Sequence, residues 1–272
     1  MKKGKKTKKK IKKNVAQDYM KCFYSRFGGK CRKAKELIKY FPEHTVFVEP
    51  FLGSGAVFLA KEKSEKNVLN DLDPLMYNIW RNVKSSGDKF DERNKSNPFD
   101  FTAERSKWEK FLKSYRTGSP IEQIYKSIYI MRNSFNGMGT SFSAKRYPLR
   151  QQKKYNILLG PYKEKLKGVV ILKKDYKEVI RKYDSKDTFF YLDPPYEVAI
   201  KKGGYYLHSD IDLEEMSNLL SNIKGKFLMS LDITPNTKKL FGKFVTKKIL
   251  FNYATRTNDK EVYEYLITNY KL

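Results

Sequence analysis

Val46-Phe47-Val48-Glu49-Pro50-Phe51-Leu52-Gly53-Ser54-Gly55-Ala56-Val57-Phe58-Leu59 decides the fold class. Val46 to Glu49 reads as a short buried strand, Phe51 to Gly55 as a tight turn, and Ala56 to Lys61 as the first turns of a helix. Asn67-Val68-Leu69-Asn70 repeats the pattern, ending in Asp71 ahead of a helix expected over Pro74 to Asn82. Alternation of this kind predicts an α/β fold with a mostly parallel sheet. On the N-terminal side, Ala34, Leu37, Ile38 and Phe41 form one apolar helical face that Pro42 closes.

From Val83 to about Lys167 the pattern changes to a helical, loop-rich region with Ser, Asn, Gly and Lys raised. Ile121, Ile124, Tyr125, Ile128 and Tyr129 mark an amphipathic helix there, running into the polar loop Arg132-Asn133-Ser134-Phe135-Asn136-Gly137-Met138-Gly139. The α/β pattern resumes with strands over Val169 to Leu172, Phe189 to Leu192 and Phe227 to Leu231. A helix from Leu213 to Ile223, capped by Asp212, precedes the last of these, and strands over Thr246 to Asn252 and Val262 to Asn269 follow it.

The 272-residue chain carries 57 Lys plus Arg against 30 Asp plus Glu, a net charge of +27, so a polyanionic partner is expected. Hydrophobic residues make up 40% and aromatics 15%, too much for a disordered polycation. Nine of the first thirteen residues are lysine, and setting them aside leaves +18 on the body. Residues 1–14 read as a disordered tail: a solubilising extension, a nucleic-acid arm or an import signal. No stretch reaches the roughly 20 apolar residues of a membrane span, so no membrane partner is expected.

Cys22 and Cys31 are the only cysteines and His44 and His208 the only histidines, unclustered. This argues against structural zinc and Cys-His catalysis, and the expectation is two free thiols in a reducing compartment. The chemistry must then sit on carboxylates, backbone groups and aromatics. Glu49, Asp71, Asp175, Asp193 and Asp232 each fall at or just after the end of an expected strand. In an open parallel sheet such positions line one crevice, although any single Asp after a strand is also an ordinary turn residue.

Gly53-Ser54-Gly55 after a strand allows close backbone approach to a ligand, and Asp71, 18 residues beyond Gly53, is placed to hold ribose hydroxyls. This pair leaves NAD and S-adenosylmethionine both open. Phe189-Phe190-Tyr191-Leu192-Asp193-Pro194-Pro195-Tyr196 is the sharper signal. Two prolines after a strand fix φ and remove N–H donors, so an acid and outward carbonyls can accept both hydrogens of an exocyclic amine while the aromatic stacks on a base.

With these motifs in order, the chain resembles the Dam-type DNA adenine-N6 methyltransferases through nearly everything after the tail. Tyr24-Ser25-Arg26-Phe27-Gly28-Gly29-Lys30 is similar to that family's G-G-K cofactor motif, with Arg26-Phe27 where some members carry Trp-Ala. Val48 to Leu59 resembles its glycine loop, Asn70-Asp71 its ribose-binding acid, Asp193 to Tyr196 its catalytic motif, and Phe227 to Asp232 and Glu264 to Tyr270 its later strands.

The resemblance implies a Rossmann-like S-adenosylmethionine-dependent methyltransferase fold, a mostly parallel sheet with an antiparallel last strand, carrying an inserted, mainly helical target-recognition subdomain. The catalytic domain would span 15–82 and 168–272, and the recognition region 83–167. It implies S-adenosylmethionine and no metal, with Phe27, Gly28, Gly29, Lys30, Glu49, Pro50, Phe51, Gly53, Ser54, Gly55, Asp71, Leu72, Asp175, Tyr176 and Asp193 around the cofactor. Asp193, Pro194, Pro195 and Tyr196 would act on a flipped adenine. Arg132, Asn133, Phe135, Asn136, Lys145, Arg146, Arg256 and Lys260 would contact DNA.

The expected partner is double-stranded DNA, with a cognate restriction endonuclease as a second, and the expected state is a monomer or weak dimer. An intracellular, DNA-associated location follows. Alternatives are methyl transfer to RNA or to cytosine N4, and a DNA-binding relative without catalysis; an NAD-linked oxidoreductase leaves the D-P-P-Y unexplained.

Overall fold

The computed structural model describes residues 20–24, 26, 28–144, 158–196, 211–252 and 261–272. The Lys-rich tail, Phe27, Lys145, Arg146, Arg256 and Lys260 lie outside the described residues. Seven strands, β1 (Val46–Glu49), β2 (Lys66–Asn70), β3 (Val170–Leu172), β4 (Thr188–Leu192), β5 (Lys226–Asp232), β6 (Val245–Asn252) and β7 (Glu261–Thr268), form one sheet ordered β3-β2-β1-β4-β5-β7-β6. Neighbours from β3 to β5 pair in parallel, and β7 is antiparallel to both β5 and β6, so it is the single reversed strand.

Aromatic and β-branched side chains suit a pleated surface covered on both sides, and β4, Thr-Phe-Phe-Tyr-Leu, is buried at every position. The side-chain alternation of strands then divides the core in two. Phe47, Phe189, Tyr191, Leu228 and Leu266 share one core with α1 (Ala34–Ile38), α2 (Ala56–Ala60) and α3 (Pro74–Ser96), a core that continues across α3 into α4 (Arg105–Ser114), α5 (Pro120–Arg132) and α6 (Gly160–Lys165). Val48, Phe190, Leu192, Met229, Leu231 and Ile267 face α7 (Tyr176–Tyr183), α8 (Leu213–Leu220) and α9 (Pro235–Phe241). Asp212 caps α8 as expected, accepting from the Glu214 and Glu215 N–H groups.

The helix expected to stop at Asn82 instead runs to Ser96, with a kink at Ser86, where φ is −144°. It therefore passes through the expected 82/83 boundary and links sheet and insert. Beyond it, α5 begins with the capping box of Ser119 and Glu122 and ends at Arg132, as the apolar spacing predicts. The cysteines correct a second expectation: Cys22 and Cys31 form a disulfide, with Cα atoms 6.2 Å apart. Nine residues of chain folding back on itself, rather than a C-x-x-C turn, bring them together.

Candidate active site

Strand alternation carries straight into the site. Continuing the face of Phe47, Tyr191, Leu228 and Leu266 by two residues toward the same end of the sheet gives Glu49, Asp193, Ser230 and Glu264. Four polar side chains thus converge on one edge of the sheet, on the side of α1 to α3, and Lys30 enters from the segment before α1. Its ammonium, 3% exposed, donates to Asp193 Oδ1 at 2.7 Å, the Tyr196 hydroxyl at 2.8 Å and the Gly28 carbonyl at 3.3 Å.

Asp193 has two differently placed oxygens. Oδ1 accepts from Lys30 and from Ser230 Oγ at 2.9 Å, and the Tyr196 hydroxyl, which donates to Glu264, lies 3.5 Å from it. Oδ2 accepts no hydrogen bond among the described residues, so the carboxylate is anchored on one oxygen and presents the other. A second layer supports the anchor: the buried Tyr191 hydroxyl lies 3.5 Å from Ser230 Oγ.

The glycine loop is held through its backbone. Gly53 N–H donates to Asp71 Oδ2 at 2.7 Å, and the Gly53 carbonyl accepts from the Tyr24 hydroxyl at 2.6 Å and Trp80 Nε1 at 2.9 Å. Gly55, at φ +64°, is the N-cap of α2, and a Cβ there would meet Trp80 Cζ2 at 2.5 Å. Glycine is required there by conformation and by space alike. The other oxygen of Asp71 accepts the Asp73 N–H at 3.0 Å, and Asp73 pairs with Arg26 at 3.1 Å. Asn70 bonds the Pro50 and Lys174 carbonyls, joining the ends of β1 and β3.

The G-G-K segment packs against this loop. A Cβ on Gly29 would meet the Arg26 carbonyl at 3.0 Å and Ser54 Oγ at 3.3 Å, and Gly28 has φ +74°. The Cys22 and Cys31 sulfurs lie 3.7 and 3.8 Å from Ser54 Oγ. Leu72, at 42%, is an exposed apolar side chain beside Asp71.

The expected acid-lined crevice has an electrostatic signature. Burial, then the nearby Asp193 charge, pushes the Glu49 carboxyl well above its ordinary value, which favours the neutral form. Glu49 Oε2 is buried without a hydrogen-bond partner, and so is the Tyr176 hydroxyl, whose ring packs on Phe51 with centroids 5.4 Å apart. Buried polar atoms are ordinarily satisfied, so two orphans flanking the strand ends fit a ligand bearing donors and acceptors. Asp175 accepts from Lys177 N–H at 2.8 Å and caps α7 at the end of the sheet that carries the other acids.

Between α5 and α6, Phe135 is 36% exposed and Asn136 is half-buried, with φ +52° in a short 3₁₀ turn beside the Ser134 to Phe142 bridge. Asn133 is buried, with its amide on the Tyr129 carbonyl at 3.1 Å, and the Arg132 guanidinium lies over the Phe101 ring at 5.3 Å. Asn133 is thus the residue that ends α5. Ser230, Glu264, Tyr24 and Trp80 were not anticipated as site residues. The period-two extension from Tyr191 and Leu266 was a signal for the first two, but only once the pairing of β5 with β7 is known.

A sheet of this order with one reversed strand, a glycine loop braced by an acid, and D-P-P-Y at a strand end defines a Rossmann-like methyltransferase. The family model described as D12 class N6 adenine-specific DNA methyltransferase matches residues 27–262, and the chain belongs to that family. It is an adenine-specific DNA methyltransferase, and the family uses S-adenosylmethionine. The chain is 25% identical over 229 residues to the type II methyltransferase M.CviBI of Paramecium bursaria Chlorella virus NC1A, covering 80% of this chain and 85% of that one. It is 29% identical over 187 residues to the DNA adenine methylase of Haemophilus influenzae, covering 62% and 61%. It is 22% identical to the type II methyltransferase M.MjaIII of Methanocaldococcus jannaschii, covering 89% and 96%.

Proposed function

We propose that Asp193 Oδ2 and the Pro194 carbonyl accept the two N6 hydrogens of a flipped adenine, with Tyr196 as the stacking surface. The observation that supports this reading most is the asymmetric anchoring of Asp193, held on Oδ1 by Lys30 and Ser230 and open on Oδ2. The adenine N6 lone pair is delocalised into the ring, and holding both hydrogens in place concentrates it on one axis. This is catalysis by orientation and electrostatics. Flipping costs a few kcal/mol, which a snug pocket offsets.

The cofactor supplies a methyl carbon on a positively charged sulfur. Glu49, Pro50, Phe51, the Gly53 to Gly55 loop, Asp71, Leu72 and Tyr176 would hold it, with Gly28, Gly29 and Lys30 closing the site. Tyr176 is then a wall of the cofactor pocket, and Asp175 keeps its place through α7. Residues 83–167 would read the target, through Phe135 in the space left by the flipped base and Asn136 on base edges. Lys145, Arg146, Arg256 and Lys260 would add base or phosphate contacts.

The enzyme would act DNA-associated inside the cell, and the type II names of two relatives favour a paired restriction endonuclease. Sequencing that maps modified bases in DNA from cells expressing the protein tests the whole reading. N6-methyladenine at one recurrent sequence is expected, and N4-methylcytosine or unmodified DNA would overturn it.

The ribose assignment has a pH signature. Burial raises the Asp71 carboxyl from 3.8 to about 6, with Arg26 opposing and Asp73 adding. The folded value lies above the unfolded one, so this group's contribution to stability is full below about 3.8 and is lost as pH rises through about 6. Cofactor affinity should run the other way, because ribose hydroxyls donate best to the anion. We expect affinity to weaken by about tenfold as pH falls below 6, and Asp71→Asn to flatten the dependence, as measured by calorimetry. An affinity level between pH 5 and 8 would remove Asp71 from the ribose.

A further inference from the structure

We propose that Glu264 is a positioning residue for methyl transfer, fixing the ring of Tyr196 through its hydroxyl. The proposal rests on the assignment of Asp193 and Tyr196 to the target base. Glu264 lies in β7, in register with Asp232 of β5, and is fully buried. Its Oε2 accepts the Tyr196 hydroxyl at 2.7 Å and lies 3.9 Å from Lys30 Nζ. The phenol oxygen therefore accepts from Lys30 and donates to Glu264, held from two sides at 2.8 and 2.7 Å.

A carboxylate in the middle of a sheet is expensive to bury unless it is paired, and its partners among the described residues include the two side chains that also touch Asp193. The phenol oxygen lies on the axis of the ring, so pinning it restricts χ1 and fixes where the ring stands, and a base stacked on that ring is restricted in position too. The backbone contributes a second constraint. Tyr196 ends the D-P-P-Y turn, where Pro194 and Pro195 fix φ. The turn sets the root of the side chain and Glu264 sets its tip, 68 residues further along the chain. The base would thus be aligned between a sheet strand that precedes the turn and one that follows it.

The test is a double-mutant cycle of Glu264→Gln and Tyr196→Phe, read as the single-turnover rate at saturating DNA and cofactor. Each substitution removes or weakens the same tether while keeping side-chain size. Each is expected to slow the step by about 10- to 100-fold, as small misplacements of a reacting group do, with the cofactor KM unchanged. The double variant is expected to be no slower than the slower single. A double variant slowed by the product of the two effects, or either single at the wild-type rate, would overturn the proposal. So would a raised cofactor KM with an unchanged rate. If Glu264→Gln does not fold, Glu264→Asp, which keeps the charge and draws the carboxylate back from the Tyr196 hydroxyl, takes its place in the cycle with the same expected outcomes. Asp193→Ala, run alongside, separates the two readings: if it still transfers methyl, the assignment of the D-P-P-Y site fails first. If it is inactive while the cycle is multiplicative, only the role of Glu264 fails.

Discussion

Asp193→Ala is expected to lower methyl transfer by on the order of a thousandfold, with duplex affinity nearly unchanged. The asymmetry follows from what the carboxylate touches. Its Oδ1 is occupied by Lys30 and Ser230 and its Oδ2 accepts no hydrogen bond among the described residues, so under the proposed assignment the residue would align the amine rather than grip the phosphate backbone. Removing it also deprives the buried Lys30 side chain of its nearest carboxylate, with Glu264 at 3.9 Å the next among the described residues. Breaking a buried pair in this way costs about 3–5 kcal/mol, so the variant's fold must be checked by circular dichroism. Asp193→Asn, which keeps the shape and one acceptor oxygen, provides the cleaner comparison. Labelled methyl incorporation and fluorescence anisotropy on the same preparations give both quantities, and weakened DNA binding with full turnover would refute the assignment.

Gly55→Ala should be among the most damaging single methyl groups that can be added beside the site. The new Cβ would stand 2.5 Å from Trp80 Cζ2 and 2.7 Å from Cη2 at a residue already held at φ +64°. Trp80 is fully buried and its Nε1 is bonded to the Gly53 carbonyl, so the ring has nowhere to retreat without releasing the glycine loop. Overpacking and left-handed strain together amount to about 2–4 kcal/mol, or a fall in Tm of roughly 5–10 °C, with cofactor affinity lost alongside. Gly53→Ala is the internal control. It too has positive φ, but the nearest atom to its Cβ would be Arg26 Cδ at 3.8 Å, so only the strain applies. Equal Tm losses for the two variants would show that the Trp80 contact is unimportant.

Much of this was legible in the sequence because the informative segments are buried on both faces. Phe189 to Leu192 and Phe227 to Leu231 have no polar face to confuse a strand reading, and each runs straight into its acid. Helix α3 beyond Asn82 was not legible: its inner face there is Val83, Ser86, Gly87 and Phe90, and small polar residues leave no apolar stripe. Gly87 is small because a Cβ would meet the Leu159 carbonyl at 2.6 Å, a close approach to the start of α6 that no local pattern encodes. Ser230 and Glu264 were hidden for a different reason. Each sits inside an apolar strand as an unremarkable polar residue, and only the pairing Ser230↔Leu266 and Asp232↔Glu264 turns them toward Asp193. Asn133 shows the converse, a polar residue in a recognition-like loop whose amide is needed to end a helix.

The threading of β7 between β5 and β6 bears on how the enzyme comes into being. During synthesis β6 leaves the ribosome before the strand that joins it to the sheet, and until β7 arrives β5 is an open edge. The cofactor loop and D-P-P-Y could already be in place at that stage, but Tyr196 would lack the carboxylate that holds its tip. The nascent chain is therefore expected to acquire a cofactor-binding shape before it can modify a base. Ordering β7 would then commission the catalyst.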